Sequence, residues 1–358
     1  MIRFVVFDLG AQKPSRLLIA IHHLVIDGIS WRVLLEDLHA ACTQLSRGEA
    51  IQLRLKTTSF KQWGERLTEY AHSASLREEL GYWLAESRRE VLPLPLDYQV
   101  GENIVASAYT VSVALSVAET QALLKEVPQV YRTQIDDVLL TAVVQALTQW
   151  SDRSAVLIDL EGHGREDIFE DIDLSLTVGW FTSIFPVLLQ LEKGTHPLEA
   201  LRSIKEQLAE IPNQGFGYGV LRYLCADKEI TSQLSSLPKA EFIFNYMGQV
   251  DRYLPDRSMF KLTRSILGLN RSPRGTRSHV LECGAFVIDG QLWLNWTCSE
   301  NLHQRTVVEG LAESCLQVLR DILARCQSPQ SVEYKPSDFP DVELNEELLE
   351  KALEEISF

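Results

Sequence analysis

His22 and His23 stand side by side, with Asp27-Gly28 following and Ser30-Trp31 directly after. The apolar run Leu17–Ile21 ahead of them reads as a buried strand. The imidazoles therefore fall where a strand leaves the core and the chain turns, a rigid place from which a ring can face a cleft. A lone histidine there would more often be a core residue with its hydrogen bonds satisfied; two in succession, with Asp27 close behind, favour a site. A second apolar strand, 155–160, delivers Glu161 at its end, in Glu161-Gly162-His163-Gly164. An imidazole and a carboxylate on two separate strand ends can address one substrate from two sides, which is the equipment of acid–base proton transfer. Asn245 and Tyr246 close a third candidate strand, 241–246. Tyr246 is either a hydrogen-bond donor to a substrate carbonyl or a buried tyrosine with its hydroxyl satisfied. Asp27 reads as structural, accepting backbone N–H bonds that orient the loop, and His22 likewise. His163, between two glycines, is placed to tune Glu161. Glu161 itself is either the working base or a solvated loop carboxylate paired with Arg165.

These groups need elements to hold them. After Gly28 the pattern is helical, with Val33, Leu34, Leu38, Cys42 and Leu45 on one face and Gly48 as the stop. Residues 49–92 are mostly helical around Trp63, Leu67, Tyr70, Leu80, Trp83 and Leu84, until Pro93-Leu94-Pro95 breaks the pattern. A strand is predicted over 109–115, a helix over 118–127, and a second helix opened by Thr133 with Asp136 three residues on. Further helices are predicted over 197–211, starting at Pro197, and over 306–326, and further strands over 241–246 and 285–296. Arg264–Arg277 is basic and spaced by Gly, Ser and Pro, the composition of a mobile loop. Strands alternating with helices predict an α/β class with parallel pairings. Gly215, Gly217 and Gly219 permit close backbone approach, but their spacing is not a dinucleotide fingerprint.

His22-His23-x-x-x-Asp27-Gly28 with Ser30-Trp31 resembles the signature of the condensation-domain superfamily of nonribosomal peptide synthetases. Other stretches resemble its epimerization branch: Leu160-Glu161-Gly162-His163-Gly164-Arg165-Glu166, Thr177-Val178-Gly179-Trp180-Phe181-Thr182-Ser183, Pro212-Asn213-Gln214-Gly215-Phe216-Gly217-Tyr218-Gly219 and Phe244-Asn245-Tyr246-Met247-Gly248-Gln249. The first motif names only the superfamily; the ordered set is more specific. The resemblance implies two lobes, each like chloramphenicol acetyltransferase, with the site in a tunnel between them. They would divide at 1–115 and 116–335, with 336–358 as a linker and an acidic helix. Few residues precede the histidines, so the first lobe is expected to be incomplete and its apolar sheet exposed. Arg277-Ser278-His279-Val280-Leu281-Glu282 also resembles a family stretch, one with no role attached.

The implied reaction inverts the α-carbon of an aminoacyl or peptidyl thioester carried on the 4'-phosphopantetheine arm of a carrier protein. It needs a base and an acid on opposite faces and stabilisation of an enolate oxygen, with no metal and no intrinsic cofactor. The resemblance makes His23 the catalytic histidine, as enolate stabiliser or proton donor. Glu161 becomes the base on the other face, and Tyr246 a donor. A free glutamate titrates near about 4.3, so burial must raise it. His22, Asp27, Asn245 and His163 would support the site, with Trp180, Thr182 and Ser183 lining the tunnel. The family's aspartate pairs with an arginine, yet Leu176 stands where epimerization members often carry one, which leaves Asp27 in need of another partner. Two alternatives stay open: a condensation catalyst that forms peptide bonds, and a catalytically silent module that only binds a carrier protein.

Composition narrows the partners. The chain has 358 residues, 46% hydrophobic and 23% charged, enough for two lobes. With 34 Lys and Arg against 49 Asp and Glu, its net charge of −15 argues against nucleic acid or an anionic membrane. Part of that acidity sits in 341–356, whose Leu348, Leu349, Leu353 and Ile356 share one helical face, with Asn345 as a cap. Such a helix suits docking to a basic surface of a downstream synthetase. The six cysteines show no CxxC and no metal-ligand spacing, as expected of reduced thiols in a cytoplasmic protein. No apolar stretch reaches membrane-spanning length.

Overall fold

Along Gln291–Ser299 (β8), Leu292, Leu294, Trp296 and Cys298 are fully buried and the residues between them are not. This period of two lets one face of a strand enter a core while the other meets solvent or a cleft. A computed structural model of the chain describes residues 1–254, 258–261, 263 and 271–327. It builds a six-stranded sheet on that alternation. The strands are Ala108–Ala114 (β3), Ala155–Gly162 (β4), Ser183–Gln190 (β5), Phe242–Gln249 (β6), Leu281–Ile288 (β7) and β8, in the order β3-β8-β7-β6-β4-β5. The pairs β4–β6 and β6–β7 are parallel and the others antiparallel. Ahead of this sheet, Ile2–Phe7 (β1) and Arg16–Ile21 (β2) form an antiparallel two-stranded sheet.

Helices complete the layers. Gly28–Ser46 (α1), Phe60–Tyr70 (α2), Ala74–Glu78 (α3) and Leu80–Trp83 (α4) precede the large sheet. Val117–Tyr131 (α5), Ile135–Ser151 (α6), Pro197–Ala209 (α7), Phe216–Tyr223 (α8), Lys228–Ser236 (α9) and Arg305–Cys326 (α10) are interleaved with it. Helices α5, α6 and α10 pack on one another and on β3, β4 and β8, and α7 packs on α6 and β5. Val138, Leu139, Val143 and Leu147 of α6 and Val308, Leu319 and Ile322 of α10 are fully buried there. Each such side chain contributes roughly 1.5–3 kcal/mol on leaving water. Trp63 of α2, Leu76 of α3 and Trp83 of α4 join the same core. The mixed α/β architecture expected from the sequence is the one observed.

Several expectations are corrected. The run 285–296 is two strands, because Asp289-Gly290 adopts positive φ at both positions (51° and 75°) and closes a β7–β8 hairpin. β3, expected with the first lobe, pairs along its length with β8, so 108–114 belongs to the large sheet rather than to the segment before 116. Helix α6 starts one residue later than predicted. The Asp137 carboxylate, not that of Asp136, accepts the Gln134 N–H (2.7 Å), and the buried Thr133 hydroxyl has no hydrogen-bond partner among the described residues. Leu17–Ile21 is a strand but not a buried one. It is exposed to half-buried, since among the described residues β2 pairs only with β1. Arg277, assigned to a mobile loop, is buried and fixed by Glu282 (3.0 Å) and the Thr297 carbonyl (2.9 Å). Residues 264–270 and the linker and acidic helix of 336–358 lie outside the described residues. No described helix is long and apolar enough to cross a membrane.

Candidate active site

β4 alternates Ile158 and Leu160 into the core with Asp159 and Glu161 on the opposite face. In the β4–β6 register Asp159 lies opposite Ile243 and Leu160 opposite Phe244. One step further sets Glu161 beside Asn245, whose Nδ2 donates to Glu161 Oε2 at 2.6 Å. On β7, Glu282 occupies the same outward face. Burial pushes the Glu161 carboxyl above the ordinary carboxylate range. Positive charge on His23, His279 and Arg271 pulls it back, and Glu282 pushes it further up.

His23 reaches the site from a 3₁₀ turn, 23–25, that follows β2. His22 caps this turn, its Nδ1 accepting the Leu24 N–H at 3.2 Å. Both rings are exposed. The His23 ring meets the edge of Trp180 with centroids 5.7 Å apart. Asp27 is 3% exposed and N-caps α1: its Oδ1 accepts the Ser30 N–H (2.7 Å), and its Oδ2 the Phe181 N–H (3.1 Å). The missing cation is Arg165, whose Nη2 lies 3.2 Å from Asp27 Oδ1 and donates to Ser30 Oγ at 2.9 Å. The same guanidinium donates to the Leu174 and Thr177 carbonyls (2.7 and 2.9 Å) and stacks on Phe181 at 3.9 Å. Arg165 is therefore taken by Asp27 rather than by Glu161, and Leu176 needs no cationic replacement at its own position.

His163 lies next to Glu161 in sequence but engages elsewhere. Its Nδ1 accepts the Arg165 N–H at 3.0 Å and stands 3.4 Å from Glu166. A nitrogen that accepts an amide proton is unprotonated, so the amide contact defines the ring's tautomer. The charges acting on Glu161 come instead from His23, His279, Arg271 and Glu282. Tyr246 follows Asn245 on β6, where burial and the Asp136 carboxylate push its hydroxyl up to about 12. Asp136 is itself pushed up to about 6 by burial and by Asp137. A hydroxyl so placed stays protonated, and able to donate, across neutral pH.

A cleft of about 330 Å³ brings Asp27, Glu161, His163, Thr182, Asn245 and Tyr246 to one surface. A larger one of about 850 Å³ shares Thr182 and is lined by Trp180, Ser183, Asp159 and His279. Thr182 thus stands between the two, and Trp180, 40% exposed, turns one edge to His23. The smaller cleft gathers the Glu161 strand end, Asn245 and Tyr246 from the middle of β6, and Asp27 from the loop after the histidine turn. His23 lines neither cleft and joins the group through its ring contact with Trp180 and its charge effect on Glu161.

The condensation-domain family profile matches residues 1–353. The chain belongs to the condensation-domain family. It is 45% identical over 355 residues to one of the linear gramicidin synthase proteins of Brevibacillus parabrevis, covering 99% of this chain and 5% of that protein. It is 41% identical over 357 residues to chondramide synthase cmdD of Chondromyces crocatus, covering 98% of the chain and 9% of that protein. The chain thus spans a small part of the curated relatives it matches. Among solved structures it resembles the epimerization domain from the third module of tyrocidine synthetase B. That match has a TM-score of 0.83 and 35% identity, covering 91% of this chain and 72% of that one. The first condensation domain of the CDA synthetase shares the fold at TM-score 0.65 and 16% identity, covering 92% of this chain and 68% of that one.

The condensation-family motifs divide by what they touch. In Pro212–Gly219, Gly217 has no room for a Cβ because the Glu79 carboxylate occupies that space. Glu79 is 5% exposed, accepts from Trp83 Nε1 (3.0 Å) and Asn213 Nδ2 (2.8 Å), and is pushed above its ordinary range by burial. Through Glu79 that motif ties α4 to α8, while its Phe216, Tyr218 and Gly219 line the larger cleft. Gly164, at φ +67°, lies where any Cβ would strike the Phe181 carbonyl, so it lets the Glu161 loop lie against the 177–183 loop. Arg165 and the Asp159–His279 pair were missed as site groups. Arg165 was legible as the one basic residue of its motif, and Asp159 as the acid two positions before Glu161 on a strand of period two.

Proposed function

We propose that this condensation-family domain epimerizes an L-aminoacyl or L-peptidyl thioester, delivered on the phosphopantetheine arm of a carrier protein in nonribosomal peptide synthesis. The observation that carries the reading is Glu161: a carboxylate held by Asn245 on a rigid strand end, raised by burial, in the cleft that also contains Tyr246. In the proposed reaction the Glu161 carboxylate takes the α-proton, the C–H electron pair moves into the thioester, and the carbonyl oxygen becomes an enolate. A thioester α-proton is far less acidic than a carboxylic acid, so the oxygen needs donors where charge develops. His23, as imidazolium, and the protonated Tyr246 hydroxyl supply them. Return of a proton to the opposite face of the α-carbon completes the inversion, with His23 or Tyr246 as donor. Raising Glu161 brings its basicity nearer to neutral conditions, where a base and its conjugate acid are both available.

The 35% identity to an epimerization domain supports this reading, as does the half-buried Glu161–Asn245 pair. Peptide-bond formation needs a group that handles an attacking amine, a task for which His23 would suffice and Glu161 would be idle. The test is incubation with an L-aminoacyl or L-peptidyl carrier thioester in D2O. Uptake of α-deuterium together with D-product, both abolished in Glu161→Gln, is the expected outcome. A folded, carrier-binding protein that takes up no deuterium overturns the proposal, and dipeptide formation without uptake favours condensation.

A further inference from the structure

Asp159 is the next outward-facing position before Glu161 on β4, about 6–7 Å away along the strand. It is not free. His279 Nε2 lies 2.8 Å from Asp159 Oδ2, and Ser278 Oγ lies 3.0 Å from His279 Nδ1, so the imidazole is clamped at both nitrogens. The ring is 8% exposed and approaches the sheet face from the segment just before β7. The proposed reaction uses none of these groups, and the stretch 277–282 carried no role in the sequence.

We infer that His279 is a positioning residue of the site: clamped by Asp159 and Ser278, it supplies the fixed positive side of the field in which Glu161 takes up and releases a proton. The inference rests on the reading of Glu161 as the base. Glu161 is faced by His23 from the turn after β2, by Arg271 from the segment before β7, by Glu282 on β7 and by the neutral amide of Asn245 on β6. The Asp159 side of the pair faces the Tyr218 hydroxyl of α8, to which Arg222 donates at 3.0 Å. His23 and Arg271 are exposed, so water and salt screen them. His279 is buried and held on the sheet face, where a charge acts at lower effective dielectric and its geometry does not fluctuate with solvent. Its pull on Glu161 opposes that of burial.

His279→Gln separates charge from scaffold, because the amide can still span Asp159 and Ser278 but carries no charge. The protein is labelled with 13C at the glutamate carboxyls, the Glu161 resonance is identified by its loss in Glu161→Gln, and the titration is followed directly. His279→Gln is expected to move the Glu161 midpoint upward and Glu282→Gln to move it downward. In the deuterium assay, His279→Gln should lower exchange about threefold on the acid limb and leave the high-pH plateau unchanged. A folded His279→Gln protein with an unmoved Glu161 midpoint overturns the inference. Should that variant fail to fold, His279→Asn replaces it, and an unmoved Glu161 midpoint in that folded variant overturns the inference equally. A shifted Glu161 midpoint in a wild-type protein that never exchanges deuterium rejects the base reading while the charge coupling stands.

Discussion

The Arg165 guanidinium lies 3.2 Å from the Asp27 carboxylate, across 138 positions of sequence, and both side chains are under a tenth exposed. The pair ties the loop after the histidine turn to the loop after Glu161. Ser30 completes it, donating to the Gly179 carbonyl (2.9 Å) while accepting from the Gly179 N–H and from Arg165. The two halves of the site are thus registered by a buried ionic contact rather than by a shared element.

Removing one partner of such a pair leaves the other charge buried and uncompensated, a loss of about 3–5 kcal/mol. Arg165→Ala should therefore lower stability to chemical denaturation by that order and release the 177–183 loop. Arg165→Lys should recover only part of it, since an ammonium cannot reach Asp27, Ser30 and two carbonyls together. Equal denaturation midpoints for wild type and Arg165→Ala would refute the role given to this contact.

Glu161 gives a prediction with a definite sign. Its native carboxyl is raised by burial, so the folded state prefers the protonated form. The stability it contributes is fully present below the ordinary carboxylate range and is lost as pH rises through the raised native value. Glu161→Gln keeps an acceptor for Asn245 and removes the buried charge. It should raise the thermal midpoint at pH 7, with the gain shrinking toward pH 4. A variant less stable than wild type at pH 7 contradicts this account.

His23 should behave in the opposite way, costing activity and not stability. It is exposed, and its ring contact with Trp180 is a tilted, edge-type one at 5.7 Å between centroids. His23→Gln should reduce α-deuterium exchange about 10²–10⁴-fold, the range for loss of a general acid or base. Its denaturation midpoint should stay within about 0.5 kcal/mol of wild type. A large loss of stability together with activity would reassign the ring to the fold.

Gly217 and Glu79 form a steric pair. Gly217→Ala should destabilise by about 1–3 kcal/mol, because the new methyl enters the space of the buried carboxylate. In a Glu79→Ala background that increment should largely vanish, giving a coupling term in a double-mutant cycle. Additive effects of the two substitutions would place the strain elsewhere.

Much of this was legible in the chain itself. Strand and helix positions followed from periods of two and near 3.6, and Glu161, Asn245 and His23 were recognisable at predicted strand ends. The errors have local causes. Asp289-Gly290 divided an apolar run into two strands, and β3 joined the large sheet through pairing with β8, a partner far along the chain. Neither buried Arg277 nor the exposed face of β2 could be told from composition, because burial depends on what packs opposite.

By itself the sequence determined the α/β class and which side chains share a strand face, since both follow from backbone geometry and the spacing of residues along one element. Which distant groups meet was decided by the tertiary structure. Asp27 with Arg165, Glu161 with Asn245, and Asp159 with His279 are pairs whose members lie on different segments. A local period carries no information about which segments a sheet register or a loop crossing brings into hydrogen-bond contact. The charge environment of Glu161 arises from those crossings, and so it belongs to the fold and not to the motif.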